Sequence, residues 1–137
     1  NADERGMSVV ESRTEQPVLG YSNAIEVRVS GEDTHHVIAT QFGNGETRVV
    51  AVDGVRLEAV PEGEILLIAN KDMPGAVGQI GSILGDNGIN ISRMQLGLHA
   101  ESGNALTAVN VDRSVPLEVV SALESIEQVV AVSAISL

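Results

Sequence analysis

Two hydrophobic periods divide the chain. From Asn23 the period is two: Ile25, Val27 and Val29 alternate with Glu26, Arg28 and Ser30, as in a strand with one face on a core. Gly31-Glu32-Asp33-Thr34 supplies a turn, and His36–Phe42 reads as the next strand. Asn44-Gly45 predicts a type I′ hairpin, because both central residues of that turn need positive φ. Arg48–Val52 returns, Asp53-Gly54 turns again, and Val55–Ala59 is a short strand, giving an antiparallel meander. Upstream, residues 1–21 are polar and weakly patterned. Met7–Glu11 is predicted as a short strand, Ser12–Gln16 as exposed chain and Pro17–Gly20 as a connector.

Pro61-Glu62-Gly63 breaks both periods and is the predicted boundary, separating a domain over 1–63 from one over 64–137. The second reads as βαββαβ. Glu64–Ala69 is a continuous apolar strand. Pro74 opens a helix where its missing N–H costs nothing, with Ala76, Val77, Ile80, Ile83 and Leu84 as an apolar stripe. Gly88 ends that helix in a left-handed cap. Asn90–Leu98 and Ala105–Val111 are strands joined by a hairpin at Glu101–Asn104. Pro116 marks a second helix with Val119, Val120, Leu123 and Ile126 inward, and Val129–Ile135 is the last strand. Four strands and two helices in this order predict an α+β, ferredoxin-like sandwich with both helices on one face of an antiparallel sheet. Its open edges call for partners, so self-association through sheet edges is expected.

Composition narrows the functions. The chain has 137 residues, 43% hydrophobic but only 1% aromatic, with Tyr21 and Phe42 the sole aromatic rings. The core is therefore aliphatic and base-stacking platforms are absent. The net charge of −11 is shared by both halves and argues against nucleic acid and anionic membranes as partners. There is no cysteine, which excludes disulfides, thiolate chemistry and an iron–sulfur cluster held by this chain and fits a cytoplasmic location. No apolar run is long enough to cross a membrane, and no signal peptide precedes the first charges. The first residue is Asn rather than Met, so a processed or excised product is expected, with Asn1-Ala2 either native or a vector remnant.

Candidate chemistry gathers between Asn70 and Met94. Asn70 and Asp72 precede the Pro-Gly helix start, Gly75 permits close approach to the backbone, and Asn90 opens the following strand. The expectation is three polar side chains near one helix N-terminus, where unpaired N–H groups favour a carboxylate and Asp72 could take an ammonium. The alternative is that Asp72 caps the helix and Asn90 stabilises a turn. Gly78, Gly81 and Gly85 share a helix face and suggest close packing rather than a phosphate loop, since no Lys-Ser/Thr follows. Arg48 and Arg56 flank a predicted hairpin and suit an anion if brought together; salt bridges to the abundant carboxylates are the alternative. His35, His36 and His99 have no metal-ligand spacing, adjacent strand residues point to opposite faces, and no metal site is predicted. No nucleophile–base pairing and no dinucleotide fingerprint is present, so no catalytic residue is assigned.

The Asn70–Met94 segment resembles an ACT domain, the amino-acid-binding regulatory module of many biosynthetic enzymes. Glu4-Arg5-Gly6-Met7, Tyr21-Ser22-Asn23, Phe42-Gly43, Val52–Arg56 and Ala59–Gly63 resemble the second part of the intervening, allosteric substrate-binding domain of long-form D-3-phosphoglycerate dehydrogenases. The resemblance covers essentially the whole chain. It implies a regulatory piece of an NAD-dependent enzyme of serine synthesis, with NAD bound elsewhere and no cofactor in this piece. It further implies L-serine or another small amino acid at Asn70, Asp72, Gly75 and Asn90, contact with catalytic domains of the same polypeptide, and an incomplete first domain. Members that respond to serine use polar residues at the places of Asn70, Asp72 and Asn90; in some members His or Tyr takes the place of Asn70, and Asn that of Asp72. Two other readings stand beside this one: the β component of an iron–sulfur L-serine dehydratase, and an ACT oligomerisation module without ligand. The Tyr21-Ser22-Asn23 region and Asn110-Val111-Asp112 fit the dehydrogenase pattern better than the dehydratase one.

Overall fold

A computed structural model describes residues 3–137; Asn1-Ala2 lie outside the described residues. After a 3-10 turn at Asp3–Arg5, residues 7–17 are irregular and exposed, and Val18 is the first half-buried residue, so the strand expected at Met7–Glu11 does not form. Its Val9 and Val10 face solvent, with no neighbouring strand to pair with.

The first sheet is an antiparallel meander in the order β1 (Ala24–Ser30), β2 (Thr34–Gln41), β3 (Thr47–Val52) and β4 (Val55–Ala59). The type I′ turn read at Asn44-Gly45 is found instead at Asp53-Gly54. Asp53 and Gly54 are both left-handed, at φ 49° and 81°, and Val52 pairs directly with Val55: this is the two-residue I′ hairpin. At Asn44-Gly45 only the glycine is left-handed; its N–H donates to the Phe42 carbonyl and the Phe42 N–H to the Glu46 carbonyl, the longer loop in which a type I turn ends on a glycine.

One face of this sheet buries Ile38, Val50 and Ala51 under Val18, Tyr21 and Ala24, where the Tyr21 and Phe42 rings meet edge to face at 6.3 Å. The other face packs at Val49 and Val52 against the second sheet, through Leu57, Ala59, Leu67, Leu106 and Ala108. It is covered only there. Ile25, Val27 and Val29, expected against a core, are 69%, 48% and 56% exposed, because β1 and the outer part of β2 extend past the second sheet.

The second sheet has the order β6 (Ile91–Leu98), β7 (Asn104–Val111), β5 (Glu64–Lys71) and β8 (Val129–Ser136), all antiparallel. Helices α1 (Ala76–Asp86) and α2 (Leu117–Glu124) cover one face. Leu66, Ile68, Val109 and Val111 of the sheet meet Ile80, Leu84, Val119, Leu123 and Ile126 there. The predicted sandwich is the observed one. Val77, expected inward, is exposed, and so are Gly78 and Gly85. A Cβ on Gly78, Gly81 or Gly85 would meet nothing within 4 Å, so the close packing expected of this stripe is not made inside the chain. Gly88 does cap α1: at φ 70° its N–H reaches Gly85 O, while Ile89 N–H reaches Leu84 O at 2.9 Å. Ile89 and Leu84 are both buried in the core, the paired hydrogen bonds and apolar contact of a Schellman stop.

The I′ turn carries a titratable pair. The His35 ring Nδ1 lies 3.0 Å from Asp53 Oδ2, and Asp53 Oδ1 accepts the His36 N–H at 2.7 Å. On the opposite face His36 Nε2 lies 2.6 Å from Glu26. The hydrogen bond to Asp53, with its charge, raises His35 above 6.5. Partial burial works against ionising Asp53, but the hydrogen bonds from His35 and the His36 N–H outweigh it and hold the carboxyl below 3.8. The histidine contribution is complete below 6.5 and is lost as pH rises through its raised value. That of the aspartate is complete above 3.8 and is lost as pH falls through its lowered value. The pair is therefore strongest between 3.8 and 6.5. Asp53→Asn keeps a residue that tolerates the left-handed turn and should remove this window. The gap between the melting midpoints of the two proteins should be widest near pH 5 and narrow toward pH 8, where the part that the aspartate makes with the His36 N–H remains.

Candidate functional site

The four residues singled out between Asn70 and Asn90 fall at three different places. Asn70, on the helix side of β5, is 1% exposed. Its Oδ1 accepts the Thr107 hydroxyl at 2.9 Å and its Nδ2 donates to the Lys71 carbonyl at 3.0 Å. Pairing satisfies a buried amide, and the same pairing turns Asn70 into the core. Asp72 and Gly75 stand together at the N-terminus of α1, both exposed. The helix begins at Ala76 rather than Pro74, its N-cap is Gly75, and no side chain caps it; Asp72 instead gives its backbone N–H to the Gly103 carbonyl. Capping by Asp72 is thus not made.

Asn90 follows the other end of α1. It precedes Ile91, which pairs with Val111, itself opposite Glu64 at the start of β5. Asp72 follows the end of that eight-residue strand. At about 3.3 Å per residue the two lie more than about 25 Å apart along the strand, so one chain does not bring three polar side chains to one helix N-terminus. Sequence order conceals this, since a helix between two residues carries them to opposite ends of the domain.

The arginines regroup as well. Arg48 lies beside the β2–β3 loop and Arg56 beside the I′ turn, at opposite ends of the β3–β4 pair. Arg48 instead shares a cleft with Arg93 of β6. The cleft holds about 550 Å³ between the two sheets and is lined by Asn44–Arg48, Val60–Glu62 and Arg93. The Arg48 side chain is mostly covered, and its guanidinium has Glu46 at 3.0 Å and the Thr47 carbonyl at 2.9 Å. The Arg93 side chain makes no ion pair or hydrogen bond among the described residues. Sequence reading missed Arg93, because its strand period puts it on the sheet's far face without saying what covers that face.

Two more residues build the junction. Asn110, buried on that far face, donates through Nδ2 to the carbonyls of Val60 at 3.0 Å and Glu62 at 3.2 Å, tying the linker to β7. Gly97 of β6 lies under β4: a Cβ there would come within 2.7 Å of Val55 Cγ1 and closer still to the Arg56 carbonyl oxygen. A lone glycine in a strand is the sequence signal for such an approach. Among the described residues no cluster of three or more His, Cys, Asp or Glu is placed to hold a metal, and no helix is long and apolar enough to cross a membrane.

An antiparallel β6-β7-β5-β8 sheet with two helices on one face, entered by an uncapped helix after β5, defines the class. Residues 65–128 match the ACT domain family model and form an ACT domain. Beyond that module, the chain is 35% identical over 137 residues to the D-3-phosphoglycerate dehydrogenase of Bacillus subtilis (strain 168), covering 99% of this chain and 26% of the relative. It is 33% identical over 136 residues to the enzyme of that name from Methanocaldococcus jannaschii, with the same coverage. A third, from Synechocystis, is 34% identical over 116 residues, 84% of this chain and 21% of the relative. The similarity lies in the C-terminal region of these enzymes, and the chain spans about a quarter of the length of the first two.

Proposed function

We propose that this chain is the amino-acid-sensing region of a cytoplasmic, NAD-dependent D-3-phosphoglycerate dehydrogenase of L-serine synthesis. L-Serine, or another small amino acid, binds between two ACT domains. The observation that carries the reading is the start of α1: a helix of 11 residues whose N-cap is glycine, with no side chain on its free N–H groups and Asp72 beside it. Free N–H groups there suit a carboxylate, and Asp72 suits the ammonium.

Pairing through β6 completes such a site. β6 is an edge strand, and two copies added antiparallel about a two-fold axis set the Asn90 end of one against the Leu98 end of the other. Leu98 and Asn70 both pair with Ala105, so that end is where Asp72 and Gly75 lie. Asn90 of one chain thus meets Asp72 of its partner. The open glycine stripe of α1 permits close approach of two helices, and exposed Met73, Val77, Leu96 and Leu98 gain cover. The effector acts on catalytic domains in the same polypeptide by preferring one arrangement, a coupling of about 1–3 kcal/mol. NAD and substrate bind in those domains. The cleft of Arg48 and Arg93 takes an anion, with Arg56 outside it; two guanidinium groups suit a phosphate.

A ligand-free assembly module is the second reading, favoured by the burial of Asn70. The relatives reported are dehydrogenases, which supports that parent over a dehydratase. Melting separates the readings. L-Serine at 100 times its dissociation constant should stabilise by about 2.7 kcal/mol, a rise of roughly 10 °C, with D-serine inert. Phosphate should raise the midpoint of the wild type but not of Arg93→Ala. No rise with any amino acid would leave the assembly module.

A further inference from the structure

β6 begins irregularly. Ile91 pairs with Val111 and Arg93 with Asn110, so Ser92 is an extra residue in the ladder, and its hydroxyl donates to the Asn110 carbonyl at 3.1 Å. A bulge at a strand's first residues re-aims the chain ahead of it. Asn90 is the residue ahead, and its exposed side chain makes no hydrogen bond among the described residues.

Its backbone is held by one residue. The Asn90 N–H donates to Asp112 Oδ1 at 3.0 Å, and its carbonyl accepts the Asp112 N–H at 3.1 Å. Asp112 in turn receives Arg113 Nε on Oδ1 at 3.2 Å and a terminal guanidinium nitrogen on Oδ2 at 3.1 Å. Those bonds, with the one from Asn90, keep the carboxyl below 3.8, hence ionised and an acceptor at neutral pH. We propose that Asp112, braced by Arg113, is the positioning residue that aims Asn90 into the effector site; this rests on the amino-acid-sensing reading above. Two bonds to one residue fix the peptide on both sides of the Asn90 Cα and so the direction in which its side chain leaves. An exposed Asp–Arg pair adds little to folding, so its removal should show in ligand affinity first.

The test uses the 137-residue chain, L-serine titrated by calorimetry, and amide exchange at Asn90 without ligand. Asp112→Ala should weaken L-serine about tenfold and unprotect the Asn90 amide, with little change in melting midpoint. Asp112→Asn keeps an oxygen that accepts the Asn90 N–H and should restore most of both. Arg113→Ala should fall between. Wild-type affinity in Asp112→Ala, or an Asp112→Asn as weak as Asp112→Ala, would overturn the positioning role while the sensing reading stands. A wild-type chain that binds no amino acid would overturn both. Should Asp112→Ala fail to fold, Arg113→Ala carries the test: a partial loss of L-serine affinity with a less protected Asn90 amide is expected, and wild-type values of both would overturn the role.

Discussion

Replacing Gly97 with alanine should lower the melting midpoint by roughly 10 °C, a cost of about 3 kcal/mol at the upper end of overpacking penalties. The added carbon would press on the Arg56 carbonyl and on Val55. Backbone cannot rotate away as a side-chain tip can, so either β4 lifts from β6 or the sheet bends. Lifting β4 would uncover Leu57, Ala59 and Ala108 and strain the bonds from Asn110 to the linker. Gly43→Ala is the control: the same change in the β2–β3 loop, into open space, should shift stability by less than about 0.5 kcal/mol. Equal midpoints for the two variants would show that β4 and β6 do not depend on this contact.

Mixing two unresponsive variants should recreate a responsive protein. Each proposed site takes Asp72 and Gly75 from one chain and Asn90 from the other, so Asp72→Ala and Asn90→Ala each damage both sites of a two-fold pair. In a mixed pair the two substitutions fall in the same site and leave the other intact. A 1:1 mixture, unfolded and refolded together, should bind L-serine at wild-type affinity with about a quarter of the wild-type sites, from random pairing of two chain types. Calorimetric stoichiometry reads this directly. A mixture as silent as its components would mean that the three residues do not meet across a pair.

The second sheet was legible because its signals are local and redundant. The stripe at Ile80 and Leu84, Gly88 as helix stop and the continuous run Ile65–Ala69 each point to the same elements, and the observed order agrees. The first sheet was legible as strands but not as faces. Alternation at Ile25, Val27 and Val29 marks a strand with an apolar side; it does not say whether anything reaches that side, and here nothing does at β1. The I′ turn falls at Asp53-Gly54 and not at Asn44-Gly45 because both dipeptides tolerate positive φ, and the choice falls to the loop length that strand register demands. At the site, residue types were readable and their distances were not. Asn70 has the chemistry of a ligand group, but its even-numbered place on β5 sends it under the helices to Thr107. Asp112 entered only as part of Asn110-Val111-Asp112, with no role read for it, since the backbone it bonds at Asn90 is far away in sequence.

One strand runs through every feature of interest. β6 starts beside Asn90, lines the cleft of Arg48 with Arg93, touches β4 at Gly97 and leaves its outer edge open. A rigid strand is a lever with little give along its length, so the three places share one mechanical coordinate. Occupancy of the cleft and of the effector corner would then be read as a single variable, and by linkage each ligand must shift the affinity of the other by the same factor. A chain of this kind would report the balance between an anion and an amino acid, not the level of either.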